Sequence, residues 1–159
     1  MGLMIRPACL EDAEEFVRAH ERAWDATIGT IVGKPPATLA PFDARVEQFR
    51  ASFGRLTGDA GALVAVNEDE VVGLSVYAAD ELHDLYVVPE AWGSGAAAAL
   101  ESAVLAAIRK NGVDEAFLWV GEANARARRF YERQGWSTDG ESRRSGLGPS
   151  ELRYRKSTE

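Results

Sequence analysis

The sequence predicts an α/β chain, a mixed (α+β) sheet of about seven strands flanked by about four helices. Three observations carry that prediction. Segments 62–66 and 71–77 are β-rich and flank Asn67, Glu68, Asp69 and Glu70, which reads as an antiparallel hairpin. Segments 82–88, 96–110 and 116–120 read as strand, helix and strand, a right-handed crossover that makes two strands parallel. The length is 159 residues, with 46% hydrophobic and 27% charged side chains, which fits one globular domain over 1–159.

The elements follow in order. Residues 4–7 read as a first strand. Ala13, Phe16, Val17, His20, Ala23 and Trp24 then recur at helical spacing. Glu11, Asp12, Glu14 and Glu15 crowd the first turns, where the helix dipole favours acids. Gly29, Gly33, Pro35 and Pro36 read as a loop. Pro41 opens a second helix, with Phe42, Val46, Phe49 and Phe53 on one face. After the hairpin, strand 82–88 ends at Pro89, and Gly93 and Gly95 mark a tight turn. Leu100, Val104, Leu105 and Ile108 form the apolar face of helix 96–110, which Asn111 and Gly112 stop. Strand 116–120 leads to helix 124–134, capped by Asn124 and stopped by Gly135. From Trp136 the chain reads as a last hairpin, turning near Gly146, Gly148 and Pro149. Its returning strand is placed to pair with a second subunit, giving a homodimer.

Composition narrows the function. One cysteine, Cys9, excludes an intramolecular disulfide, and with only His20 and His83 beside it no metal is expected. A net charge of −7 argues against nucleic acid as a partner. A small anion held by backbone N–H groups remains open. No apolar run reaches the roughly 18 residues of a membrane span, and residues 1–7 lack a signal-peptide layout. The expectation is a soluble, reduced, cytoplasmic protein without a membrane partner.

Two segments carry chemistry. Trp92, Gly93, Ser94, Gly95, Ala96 and Ala97 lie between a strand end and a helix start, where glycines allow a tight turn and free N–H groups can face a diphosphate. The run also matches a G-x-G-x-x-A dinucleotide fingerprint, but it follows an antiparallel hairpin rather than repeated βαβ units. No Gly-Lys-Ser/Thr follows, which excludes a P-loop. In the second segment Asn124, Ala127 and Tyr131 share one helix face. Small Ala127 leaves room between two polar side chains, and the Tyr131 phenol can give up a proton. Arg126, Arg128, Arg129 and Arg133 read as a solvated face.

Together these segments make the chain resemble the GNAT superfamily of N-acyltransferases. The resemblance runs from Ile5-Arg6-Pro7-Ala8 and Asp12-Ala13 through Leu85-Tyr86-Val87-x-Pro89 and the glycine turn. It continues into Asn124-x-x-Ala127-x-x-Phe130-Tyr131-Glu132-x-x-Gly135-Trp136, and Glu151-Leu152-Arg153-Tyr154-Arg155 resembles a closing strand. Trp92 stands where the family usually has Gln or Arg, Ser94 where a basic residue is frequent, and Trp119 where a glutamate is frequent.

The resemblance implies a sheet that splays open between strands 82–88 and 116–120, with coenzyme A in the gap. The diphosphate would lie on the turn from Trp92 to Ala97. The pantetheine arm would pair with the backbone of Leu85, Tyr86, Val87 and Val88 like an added strand. The N–H near Val87 would polarise the thioester carbonyl. Asn124 and Ala127 would hold the pantetheine, and Tyr131 would act as general acid on the leaving thiolate. Acetyl-CoA would be the co-substrate of a direct transfer to a primary amine, on a small molecule or a peptide N-terminus. Cys9 would take no part.

The general base is open. Strand alternation puts Glu81 and His83 on one face with Leu85, and Asp84 on the other, so Glu81 and His83 are the first candidates. His20 and Trp24 are candidates for the acceptor mouth. The acidic chain suits a cationic acceptor such as a polyamine, an aminoglycoside or a peptide N-terminus. Two alternatives remain: an acyl donor on another carrier (acyl carrier protein or aminoacyl-tRNA), and a non-catalytic CoA- or ligand-binding protein on the same fold.

Overall fold

The computed structural model of the chain describes residues 2–33, 40–146 and 148–159. Pro35 and Pro36 of the expected loop lie outside them. Seven strands form one sheet in the order β1-β2-β3-β4-β5-β7-β6. They are β1 (Met4–Pro7), β2 (Ala60–Asn67), β3 (Glu70–Ala78), β4 (Glu81–Val87), β5 (Glu115–Gly121), β6 (Ser137–Arg144) and β7 (Ser150–Ser157). The α-helices among the described residues are α1 (Ala13–Ala26), α2 (Ile28–Val32), α3 (Phe42–Phe53), α4 (Ala96–Lys110) and α5 (Ala125–Arg133).

Local chemistry sets most of these boundaries. The β2–β3 turn places Glu68 and Asp69 at φ 50° and 67°, the left-handed pair that matches the twist of a tight hairpin. Gly95, at φ 90°, caps α4, and Asn111 ends it. Asn124 caps α5, its Oδ1 accepting the Ala127 N–H at 3.1 Å.

One expected loop is partly helical. Residues 28–32 form α2, a single short helix with no buried residue, ended by Gly33 at φ 69°. Gly29 sits inside it because the helix packs on Trp24. A Cβ at Gly29 would stand 2.9 Å from Trp24 Cδ1. In the last hairpin β6 is the edge strand, and β7 lies inside the sheet between β5 and β6. Its side chains explain the insertion. Tyr154 and Leu152 sit beside Leu118 and Val120 in one core, and burying them requires β7 to pair with β5.

On the first half of the sheet both faces are covered. Phe16 and Ala19 of α1 pack with Val64, Val66 and Leu74, with Phe49 and Phe53 of α3 against them. On the opposite face Ala96 and Leu100 of α4 meet Ala65 and Val87. α4 continues onto the second half, where Val104 and Ile108 share a core with Leu118, Tyr131, Trp136 and Tyr154. The fully buried carboxylate of Glu101 accepts from Trp136 Nε1 at 2.9 Å and from Lys156 Nζ at 2.8 Å. That pairing is what makes the burial of its charge tolerable, and it ties α4 to the C-terminal strands.

The one parallel pairing, β4 with β5, has a single aligned pair, Glu81 with Phe117. A bond from Phe117 N to Asp80 O (2.9 Å) closes this point of contact. Beyond it the two strands part, as the family resemblance implies. β4 also bulges: Asp84 pairs with Val76 and Leu82 with Tyr77, leaving His83 as the extra residue.

Candidate active site

The parted strands enclose a cavity of about 790 Å³. Its wall starts with the backbone of β4. Val88 donates its N–H to Val72 O at 2.9 Å, while Val87 is the residue aligned with Gly73. In an antiparallel ladder this makes 73–87 a non-hydrogen-bonded pair, so the Val87 N–H and C=O face away from β3 and into the gap. The same alternation turns the backbone of Leu85 to the gap and that of Tyr86 to β3. Of the four residues expected to pair with a pantetheine arm, Leu85 and Val87 therefore present their backbone. Val88 packs into the core on the α1 side.

At the mouth lies the glycine turn. Gly93 and Gly95 hold φ values of 81° and 90°, a conformation that side chains with a Cβ avoid. Gly93, Gly95, Ala96 and Ala97 line the cavity, and the N–H groups of the first turn of α4 have no helical partner. Ser94 turns away from that role. Its Oγ accepts the Ala96 N–H at 3.2 Å and so uses up one donor. Trp92 is anchored, with Nε1 donating to Val87 O at 3.0 Å. Across the mouth, the Arg126 guanidinium lies 3.6 Å above the Trp92 ring. The turn lacks a basic residue of its own, and α5 brings one to it.

Asn124, Ala127 and Tyr131 all line the cavity, as their helical spacing predicts. Tyr131 is buried, edge-on to Phe130 (5.2 Å) and to Trp136 (5.9 Å). Burial, then the charges of Asp84 and Glu101, push its phenol above the ordinary tyrosine range, so it holds its proton. Tyr86 is held protonated in the same way, chiefly by burial.

The structure rearranges the base candidates. His83 lines the cavity half-exposed, with Nδ1 3.1 Å from Glu81 Oε2. Glu81 is turned to His83 and is not part of the lining among the described residues. Asp84, which simple alternation puts on the face away from the candidates, lines the cavity, as does Glu151. The bulge changes the face of the residues before it: Leu82 joins Leu85 against core residues of α4, whereas Asp84 keeps the face opposite Leu85, which it shares with Tyr86. Burial raises the Asp84 carboxyl above the usual range, with His83 opposing and Glu81 adding. The sequence did hold a signal for it: an acid inside the apolar run Leu82, Leu85, Tyr86, Val87 has to be buried or aimed at something.

The remaining candidates separate. Trp24 is buried and lines the cavity. His20 lies behind it, 4.7 Å edge-on from Tyr86, and burial pulls it down to about 4, so it is neutral at pH 7. Cys9 sits beside Asp12, with Sγ 3.3 Å from Oδ2, and is not part of the lining. Three of the four α5 arginines, Arg126, Arg129 and Arg133, are exposed as expected, and they line the cavity. Arg128 donates to the Tyr154 hydroxyl at 3.0 Å.

The model of the Acetyltransferase (GNAT) family matches residues 16–136, three quarters of the chain, including the glycine turn and α5. The chain belongs to the GNAT family. Among GNAT relatives, an uncharacterised N-acetyltransferase of Archaeoglobus fulgidus is 40% identical over 133 residues, covering 82% of this chain and 90% of the relative. The fold matches the PaiA N-acetyltransferase of Thermoplasma acidophilum, solved in complex with coenzyme A. The TM-score is 0.77 at 20% identity, over 99% of both chains. It also matches YncA of Salmonella typhimurium, a putative acetyltransferase solved with acetyl-CoA. There the TM-score is 0.73 at 16% identity, over 100% of this chain and 95% of the other. No helix among the described residues is long and apolar enough to cross a membrane.

Proposed function

We propose that this GNAT enzyme transfers the acetyl group of acetyl-CoA to a primary amine by direct attack. The observation that carries the proposal is the gap itself. The Leu85 backbone and the Val87 N–H, turned away from β3, face the Asn124–Ala127–Tyr131 side of α5, with the glycine turn and α4 N-terminus at the mouth. An extended amide-bearing arm matches such a strand edge, and an anionic diphosphate matches free N–H groups at a helix start.

The chain's own residues divide the work. The Val87 N–H is aimed where negative charge develops on the thioester oxygen. Asn124 keeps its Oδ1 on the Ala127 N–H, leaving Nδ2 to bond the arm. As the amine nitrogen bonds to the carbonyl carbon, Asp84 accepts the proton that the nitrogen sheds, directly or through one water. As the carbon–sulfur bond breaks, Tyr131 gives its proton to the departing thiolate. Asp84 replaces Glu81 and His83 as first candidate for the base because it reaches the cavity, is buried, and lies near enough to Tyr131 to raise its phenol.

Calorimetry with acetyl-CoA and with desulfo-CoA, followed by thiol release in the presence of amines, tests the proposal. Micromolar binding and amine-dependent release are expected. Tyr131→Phe is expected to lower kcat by about tenfold to a thousandfold, the range of a general acid, with acetyl-CoA affinity kept. Binding without transfer to any amine would instead support a non-catalytic ligand-binding role. No binding of either ligand would overturn the donor assignment.

A further inference from the structure

The charge of the whole chain and the charge of its cavity differ in sign, and the difference selects an acceptor class. The protein carries −7. The cavity wall, however, holds Arg126, Arg129, Arg133 and Arg143 against only two carboxylates among the described residues, Asp84 and Glu151. Glu151 is taken, since it accepts from Arg143 Nε at 2.9 Å. Asp84 is left as the one carboxylate in the wall without an ion-pair partner. A polyamine or an aminoglycoside would carry several ammonium groups into a wall that offers one free carboxylate and several cations. These guanidinium groups are exposed, and like charges at the mouth weaken the entry of a polycation without any compensating ion pair.

The rest of the acceptor side is apolar. Trp24 of α1 and Ile28, Ile31 and Val32 of α2 line the cavity. No residue of α2 is buried, and Ile31 is 40% exposed, so this helix keeps its apolar side chains available instead of burying them in the core. Its close seating on Trp24 through Gly29 makes one continuous apolar wall. A wall of this kind, with a single buried carboxylate, is complementary to an amphipathic guest carrying one positive charge.

Resting on the acetyltransferase reading above, we infer that the acceptor is a small monoamine with an apolar body. Its amino group lies at Asp84 and its hydrocarbon part against Trp24 and α2. The ammonium first loses one proton to water, which frees the nitrogen lone pair. The step is then the transfer already written, with carbon–nitrogen bond formation, carbon–sulfur cleavage, the second nitrogen proton to Asp84 and the Tyr131 proton to the thiolate, the phenolate being reprotonated from solvent.

The test is steady-state thiol release with saturating acetyl-CoA and four probes: 2-phenylethylamine, spermidine, kanamycin and a tripeptide with a free N-terminus. Acetyl-CoA binding is measured separately by calorimetry. The expected result is a kcat/KM for 2-phenylethylamine at least about tenfold above each of the others, the scale of discrimination that apolar contacts and charge mismatch support. Ile31→Glu, at an exposed position, is expected to raise the KM for 2-phenylethylamine about tenfold and to shift the ratio toward spermidine. The KM for acetyl-CoA should stay unchanged. Preference for spermidine, kanamycin or the tripeptide overturns the inference while leaving the acetyltransferase reading intact. So does an Ile31→Glu variant with an unchanged ratio. Failure to bind acetyl-CoA overturns both.

Discussion

The two halves of the sheet are held together by different physics. In β1 to β4 both faces are covered, by α1 and α3 on one side and α4 on the other, and cohesion comes from apolar burial. In β5, β7 and β6 only the face carrying Leu118, Val120 and Tyr154 is covered by helices. The other face carries Phe117 and Trp119 under arginine side chains. Arg143 lies 4.3 Å and Arg153 5.8 Å above Trp119, and Arg155 lies 5.8 Å above Phe117. Asp139 joins this ladder by accepting from Arg153 and Arg155 at 2.6 and 2.7 Å. Every residue of β6 is exposed. The comparison teaches where the site comes from. The halves share α4 and the core around Leu82, but their strands align at one pair of residues, so the strands can part beyond it.

Substitutions can break or sharpen that contrast. The largest effect is expected in the first half: Leu100→Ala, at a fully buried α4 position, should cost about 2–5 kcal/mol in urea unfolding. A loss under 1 kcal/mol would show that apolar packing is not what holds this half. Next comes the gap. Asp84→Asn should lower kcat/KM about tenfold to a hundredfold, as expected on removing a general base, yet raise thermal stability at pH 7. The sign follows from linkage. A carboxyl whose folded value is raised binds protons more readily in the folded state, so stability falls as pH rises from the unfolded toward the folded value. Asparagine removes that loss. In the wild type, activity should decline as pH falls through the raised Asp84 value. Lower activity together with lower stability would mean that Asp84 is chiefly structural.

Gly95→Val should weaken acetyl-CoA binding about tenfold, because a β-branched residue resists φ 90° and distorts the turn. Equal affinity measured by calorimetry would remove the turn from the donor site. The smallest effect is expected at Asp139→Asn. The carboxyl lies low, at about 2, held first by the Glu141 N–H and also by both arginines, but it sits on the exposed face where water and salt screen the pairs. Its melting temperature should shift less than that of Leu100→Ala, and the shift should shrink further in high salt. A loss rivalling Leu100→Ala would erase the distinction between the halves.

Much of this was legible in the chain. The polar turn at Asn67 to Glu70, the apolar face of α4 and the Asn124 cap are local patterns whose physics acts within a few residues. They located β2, β3, α4 and α5 to within about two residues at each end. Asn124, Ala127 and Tyr131 share a face in the structure because helical spacing is itself local. What misled was equally specific. Gly29 read as a loop residue, and it is a helical glycine kept small by the ring of Trp24. Alternation along β4 put Glu81 and His83 with Leu85, but the bulge at His83 breaks that alternation, and Asp84, on the face opposite Leu85, is the acid that lines the cavity. The arginines of α5 read as a solvated face with no further role, and three of them, though exposed, also line the cavity.

Dihedral preference and periodicity, which act over short stretches, were enough to place every strand and every helix but α2, and the sequence alone carried the residue types at the turn and on α5 and the family they resemble. Only the tertiary structure decided that β7 enters between β5 and β6, that β4 bulges at His83, and that an acidic chain encloses a cavity with more cations than carboxylates. Each of these depends on which side chains become neighbours across the sheet, and residues 28–32, 84, 126 and 143 meet around one cavity only after the chain has folded.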